Sequence, residues 1–301
     1  MSCVAIDIGG TKIAAARVND DGTLIGGVVR VTTPAAHGPL AVIDEVARLI
    51  AGVRDESDDR VAVSAAGAVD VSTGRISFAT SSIPGWAGTD LRSELQRRGQ
   101  LPVTVIGDGH AFGLGEALFG VGRDLPVVLM LAIGTGIGGS LVIDGRPQFG
   151  RRGVSGHFGH MPVPEAAGVA CPCGSSGHTE AVGGGTGILH TYRRLGGSPE
   201  VSATAELADR VDDEQARLAL CLGGSAVGTL AAGLAAALDP DIVVLAGSIA
   251  RPQGVWWDAL LTAYRDSCHP AVADTPIRLS GQGSTMALRG AAHYALQGEL
   301  A

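Results

Sequence analysis

3-CVAIDIGGTKIAAARV-18 sets the fold by the order of its parts: an apolar run, a glycine-rich turn carrying Asp7, Thr11 and Lys12, then a second apolar run. β-Branched and small apolar residues on either side of a polar Gly-Gly turn predict two strands joined as a hairpin. The first strand delivers Asp7 to its end, and Gly9 and Gly10 leave backbone N–H groups bare of side chains. Such a turn can cradle phosphate oxygens, with Thr11 and Lys12 donating from its edge and Asp7 holding Mg²⁺ directly or through water. A tight hairpin with no ligand explains the same glycines. No G-x-x-x-x-G-K-[ST] is present, which excludes a P-loop at the level of motif.

The plan recurs at 127-VVLMLAIGTGIGGSLVI-143, where Gly134, Thr135 and Gly136 stand where a second set of phosphate oxygens would be held. Two such turns facing each other would clamp a triphosphate. The second opens into another strand, not a helix, which argues against a dinucleotide turn. A third apolar run, 242-IVVLAG-247, follows the helix-like 226–238 and the breaker Asp239-Pro240, and reads as a strand entering a turn at Gly247. Helical patterns at 39–53, 90–99, 110–119 and 204–222 alternate with the strands. The expectation is an α/β protein of two sheets, with a small lobe over 1–119, a large lobe over 120–284, and a terminal helix, 285–301, packing back on the small lobe.

Composition narrows the partners. At 301 residues and 46% hydrophobic, the chain can bury large cores, and its length suggests two lobes. A net charge of −8, with no basic cluster denser than Arg97-Arg98 or Arg151-Arg152, argues against a nucleic-acid partner. Five irregularly spaced cysteines, with no signal peptide before the strand at Cys3, point to a reducing cytoplasm in preference to a disulfide framework. The uncharged runs Leu125 to Ile143 and Leu218 to Leu238 are long enough to raise the membrane question. Glycines interrupt both and no aromatic belt flanks them, so both are expected in buried core and no membrane partner is expected.

Two further places carry chemistry. Asp108 follows the short apolar strand 103-VTVI-106 and precedes a helix, which puts it at a strand end facing an interlobe cleft. A carboxylate there can accept a hydroxyl proton as the oxygen attacks phosphorus. It can equally be the N-cap of a helix starting at Gly109. The stretch 154-VSGHFGHMPVPEAAGVACPCGSSGHTE-180 crowds His157, His160, His178, Cys171, Cys173 and Glu180 among small residues, which suits a metal, a substrate, or both.

Taken in order, DIGGTK, 106-IGDGHAFGLGEALFG-120, GTGIGG, 156-GHFGH-160 and 171-CPCGSSGHTE-180 resemble the ROK family of sugar kinases along essentially the whole chain. The resemblance implies an actin-like two-lobed fold with an interlobe cleft, ATP and Mg²⁺ as cosubstrates, phosphorylation of a hexose at its 6-hydroxyl, and a homodimer. Asp108 matches the catalytic base. Gly67, Ser82, Gly107, His157, His160 and Glu180 fall with Asp108 at sugar-binding positions; Asp7, Gly9, Gly10, Thr11, Lys12, Gly134, Thr135, Gly136 and Gly247 fall at nucleotide-binding ones. His160, Cys171, Cys173 and His178, spaced H-x₁₀-C-x-C-x₄-H, resemble the family's structural zinc loop with its last Cys replaced.

Four positions depart from the pattern. The Asn before the base is Gly107, the Asn of N-x-P-G-W is Ser82 in 82-SIPGW-86, the Glu of G-E-x-G-H is His157, and the third zinc Cys is His178. The His157 change resembles bacterial N-acetylmannosamine kinases in particular. The expected activity is therefore that of a hexosamine kinase, with glucokinase or N-acetylglucosamine kinase as the alternative on the same scaffold. A third reading is a catalytically weak sugar-sensing protein; the family's repressors carry a helix-turn-helix before the first phosphate loop, whereas six residues precede Asp7 here.

Overall fold

β1 (Ser2–Ile8) and β2 (Lys12–Asn19) pair antiparallel with Ile8 opposite Ile13, so the glycine stretch between them is a tight turn. The computed structural model describes residues 1–298 apart from Ser81, Val211, Gln282 and Ser284. The chain divides into two compact units: Met1–Asp124 with Ser140–Gly156 and Gln282–Ala301, and Leu125–Gly139 with His157–Gly281.

In the first unit β3 (Leu24–Thr32) extends the hairpin, and α1 (Gly38–Val53) leads to β4 (Val61–Ala65). A small hairpin of β5 (Ala68–Asp70) and β6 (Arg75–Phe78) follows, then α2 (Leu91–Gly99), β7 (Val103–Gly107) and, without an intervening loop, α3 (Asp108–Phe119). The sheet order is β3-β2-β1-β4-β7. Parallel pairing of β1, β4 and β7 aligns Ile8 with Ala65 and Ala65 with Gly107, so three carboxyl-terminal strand ends lie level. That is the edge at which α/β sheets gather ligands.

The second five-stranded sheet contains β8 (Val127–Ile133), β9 (Ile137–Ile143) and the short β10 (Arg146–Pro147). After the loop that holds the cysteines come α4 (Glu180–Gly183), α5 (Gly185–Arg194), α6 (Glu214–Leu238), β11 (Ile242–Ala246), α7 (Val255–Ser267) and β12 (Ile277–Leu279). The order is β10-β9-β8-β11-β12, with β11 parallel to both β8 and β12. β4 and β11 are buried at every position, which is why both read as unbroken apolar runs and not as alternating ones. The terminal helix α8 (Thr285–Leu296) packs within the first unit, against α3, β1 and β4. Residues 299–301 of the helix expected over 285–301 lie outside the described residues.

Three expectations change. Residues 140–156, assigned from the sequence to the large lobe, belong to the first unit, where Phe149 meets His110 and Tyr294 edge-on at centroid distances of 4.8 and 5.4 Å. The helix expected over 204–222 is a 3₁₀ turn, Thr204–Asp209, followed by α6, which starts at Glu214 because the Asp213 side chain caps the Ala216 amide at 2.9 Å. α6 then runs unbroken through Gly223-Gly224 to Leu238, since the missing side chain at Gly224 lets the Trp256 carbonyl of α7 approach. α6 is long and apolar enough to cross a membrane, yet 67% of its apolar window is buried inside the protein.

The third change concerns Asp108. It is the first residue of α3 and the cap position is Gly107, so the expected N-cap at Asp108 is one residue out of place. Its carboxylate accepts from the adjacent Gly109 amide, at 2.8 Å, whereas a cap reaches two or three residues ahead.

Candidate active site

The turn after β1 is closed by the Gly9 amide donating to the Lys12 carbonyl at 2.9 Å. The residue after β3 braces it: the Thr33 hydroxyl donates to the Gly9 carbonyl at 2.7 Å and the Thr33 amide to the Thr11 carbonyl at 3.0 Å. Lys12 and Thr11 stand exposed at the edge. Ser82 sits directly over the turn, since a Cβ on Gly10 would lie 2.8 Å from that of Ser82. Its segment is anchored by Trp86, 1% exposed, whose indole N–H donates to the Ala66 carbonyl at 3.0 Å. The braces Thr33 and Ser64 carry no motif, whereas Trp86 closes the 82-SIPGW-86 segment.

Because Asp7 and Ser64 are register partners on β1 and β4, the Ser64 hydroxyl donates to the Asp7 carboxylate at 2.6 Å. Asp108 leaves the neighbouring strand end at the same level. Burial pushes the Asp7 carboxyl up to about 6 against the lowering effect of Ser64. Asp108 keeps an accessible surface, yet desolvation by the surrounding protein, reinforced by the negative charge of Asp7, pushes it up to about 7. A carboxylate raised toward neutrality, as Asp108 is, suits proton transfer near neutral pH. Gly67 lies at the same strand edge in a left-handed conformation, φ 100°, with its missing side chain facing the Phe78 carbonyl.

In the second unit, the turn after β8 is set by the Gly134 amide donating to the Gly136 carbonyl at 2.9 Å. The first amides of α5 hold it from below: Gly185 donates to Gly134 at 2.8 Å and Thr186 to Thr135 at 3.0 Å. Glu180 holds it from the side by accepting the Ile137 amide at 2.7 Å, against the bare α-carbon of Gly136. One oxygen of Glu180 is thus committed to the turn. Gly247 ends β11 at φ 100°, where a side chain would strike the Ile133 carbonyl, so the backbones of the two strand ends approach as only glycine permits. Beside it lies a cavity of about 140 Å³ lined by Thr204, Ser248, Ile249, Arg251 and Trp256 among others; no sequence motif marked it.

The loop 161–179 is stitched by backbone bonds, among them Val163 to the Gly177 carbonyl at 3.1 Å and Thr179 to the Met161 carbonyl at 3.0 Å. This brings His160, Cys171, Cys173 and His178 together with all four donor atoms within 4.8 Å of one another. Nδ1 of His160 lies 3.7 Å from the Cys171 sulfur and Nδ1 of His178 lies 3.3 Å from that of Cys173. These bracket the roughly 3.5 Å that a tetrahedral zinc ion sets between a thiolate and an imidazole ligand. The donor set therefore fits zinc. His157 stacks on His160, centroids 6.2 Å apart and planes 20° apart, next to this cluster.

Residues 3–298 match the ROK family. The chain is 32% identical over 291 residues to a glucokinase of Thermotoga maritima, covering 91% of this chain and 90% of that one. It is 31% identical over 295 residues to an N-acetylmannosamine kinase of Yersinia pseudotuberculosis, covering 97% of each. Among solved structures it is similar to a ROK family glucokinase from Streptomyces griseus in complex with glucose and AMPPNP, with a TM-score of 0.82, 26% identity, and coverage of 99% of this chain and 100% of that one.

Proposed function

The chain belongs to the ROK family and is an ATP-dependent sugar kinase of actin-like α/β fold; on that premise we propose that it phosphorylates the 6-hydroxyl of a hexosamine, N-acetylmannosamine. The observation that carries this is His157, an imidazole stacked on His160 at the position where the family's usual residue is a carboxylate. An ionised carboxylate can only accept hydrogen bonds, whereas an imidazole can also donate, for instance to an N-acetyl carbonyl. The 2-acetamido group of N-acetylmannosamine is axial and leaves the ring in a different direction from that of its equatorial epimer, so the side chain beside C2 must differ too.

In the proposed step the Asp108 carboxylate accepts the proton of the 6-hydroxyl. The freed oxygen bonds to the γ-phosphorus of ATP, and the bond from that phosphorus to the β–γ bridging oxygen breaks, leaving ADP. Gly9, Gly10, Thr11 and Lys12 hold phosphate from one turn and Gly134, Thr135 and Gly136 from another, while Gly247 and the cavity beside it take the nucleoside. Gly67, Ser82, Gly107, His157, His160 and Glu180 position the sugar. Asp7, with one oxygen on Ser64, offers a carboxylate to Mg²⁺, whose charge would offset that of the phosphates. His160, Cys171, Cys173 and His178 hold a structural zinc that fixes the loop bearing His157. The reading carries with it a cytoplasmic homodimer.

Glucokinase is the second reading, because the Thermotoga maritima glucokinase is as similar as the N-acetylmannosamine kinase. A coupled ADP-release assay with ATP and Mg²⁺ separates the two. Turnover on N-acetylmannosamine well above that on N-acetylglucosamine and glucose is expected; a preference for glucose would transfer the assignment to glucokinase.

A further inference from the structure

Gly107 stands immediately before the proposed base, where the family's usual Asn would offer a polar side chain. Its backbone is at φ −65°, ψ 146°, a conformation open to any residue, so the turn does not demand glycine. His110 is what crowds a side chain there. A Cβ on Gly107 would lie 3.1 Å from Nδ1 of His110 and 3.4 Å from the Gly67 carbonyl oxygen, so the imidazole already occupies the ground into which a side chain at 107 would extend. The ring has little room to yield, being 5% exposed, in the first turn of α3, and edge-on to Phe149 at 4.8 Å. His110 lies in the first turn of α3, directly after the strand residue Gly107, and its Nδ1 approaches the position a side chain at 107 would take.

We propose that His110 supplies the polar group that position 107 lacks, hydrogen-bonding a hydroxyl of the sugar, so that Gly107 and His110 act as one unit beside Asp108. A neutral imidazole carries one donor and one acceptor, the same repertoire in kind as a carboxamide. Held on a helix and against Phe149, it is also more rigid than an Asn at the end of a strand. The chain has therefore moved the sugar contact from the end of β7 to the first turn of α3; it has not lost it. This inference rests on the assignment of the sugar to the strand edge that carries Asp108.

The test is a double-mutant cycle of Gly107→Asn and His110→Ala, with steady-state kinetics in both sugar and ATP on the hexose the wild type uses best. His110→Ala is expected to raise KM for the sugar about tenfold, the loss of one hydrogen bond, with KM for ATP unchanged. Gly107→Asn alone, its amide forced against the ring, should lose at least as much. The double variant, in which the amide inherits the vacated space, should recover to within about threefold of wild type, a non-additivity expected only of residues that share one space. His110→Asn, which keeps a polar group, should retain more sugar affinity than His110→Ala and carries the test should Gly107→Asn fail to fold. Unchanged sugar KM in His110→Ala with only a lower Tm, or additive losses in the cycle, would overturn the proposal. Full turnover in Asp108→Asn is a separate result that would overturn the assignment on which it rests.

Discussion

Asp7 and Asp108 are the residues whose chemistry depends most on their neighbours. Burial raises both, Asp7 to about 6 and Asp108, helped by the negative charge of Asp7, to about 7. As a general base Asp108 must be ionised, so kcat/KM should rise with pH through an apparent pKa near 7, and Asp108→Asn should cut kcat by at least about a hundredfold. The same shift has a stability consequence of opposite sense. A carboxyl whose folded pKa lies above its unfolded value favours the fold below about pH 4, and that contribution is lost as pH rises through 7. Asp108→Asn should therefore raise Tm at pH 8, and the gain should vanish by pH 4; an inactive variant with no such pH-dependent gain would mean the activity was lost through misfolding. At His157, a preference built on one hydrogen bond is worth roughly fivefold to a hundredfold. His157→Glu should shift kcat/KM from N-acetylmannosamine toward glucose and N-acetylglucosamine by that order, and an unchanged ratio would remove His157 from substrate choice.

Among the elements, the loop 161–179 is the one with the weakest claim to stability of its own. It is short of regular structure, and burial pushes the Cys171 thiol up, so in the absence of a metal the sulfur stays protonated. A zinc ion would displace such protons and contribute folding energy directly to the loop. Purified protein should contain about one zinc per chain, and chelation should lower Tm and release the proton-coupled metal. Because the loop holds His160, on which His157 stacks, chelation should raise KM for the sugar more than KM for ATP. Metal-free protein with an unaltered melting curve would refute a structural zinc. In α6, the Gly-Gly pair is a packing device, since Gly224 lets the α7 backbone come close. The cost of glycine in a helix, about 1 kcal/mol each, is offset by that contact.

At the scale of the whole molecule, two sheets each carry their own hydrophobic core, one around Ile6, Val63 and Trp86 and the other around Leu131, Val227 and Leu245. Ligands that bind only the folded chain should stabilise it by mass action, about 2.7 kcal/mol at a hundred times Kd. Thermal unfolding should shift upward with Mg²⁺ and a non-hydrolysable ATP analogue, and again with the preferred hexosamine; no shift with any nucleotide would contradict the phosphate-binding roles given to the two glycine turns. The sequence by itself determined the strand–turn–strand plan, the α/β class and the position of Asp108 at a strand end, because hydrophobic periodicity and glycine punctuation are local and survive without knowledge of neighbours. The resemblance to the family's zinc loop picked His160, Cys171, Cys173 and His178 out of the His- and Cys-rich stretch, and the fold brings those four together. What only the tertiary structure decided are relations between segments distant in sequence. These are the register that levels the ends of β1, β4 and β7, the Ser64 and Thr33 braces, the commitment of Glu180 to the Ile137 amide, and the ring of His110 in the space beside Gly107. Each rests on strand pairing or close packing, where the partner is fixed by the fold as a whole and leaves no mark on the residues next to it in the chain.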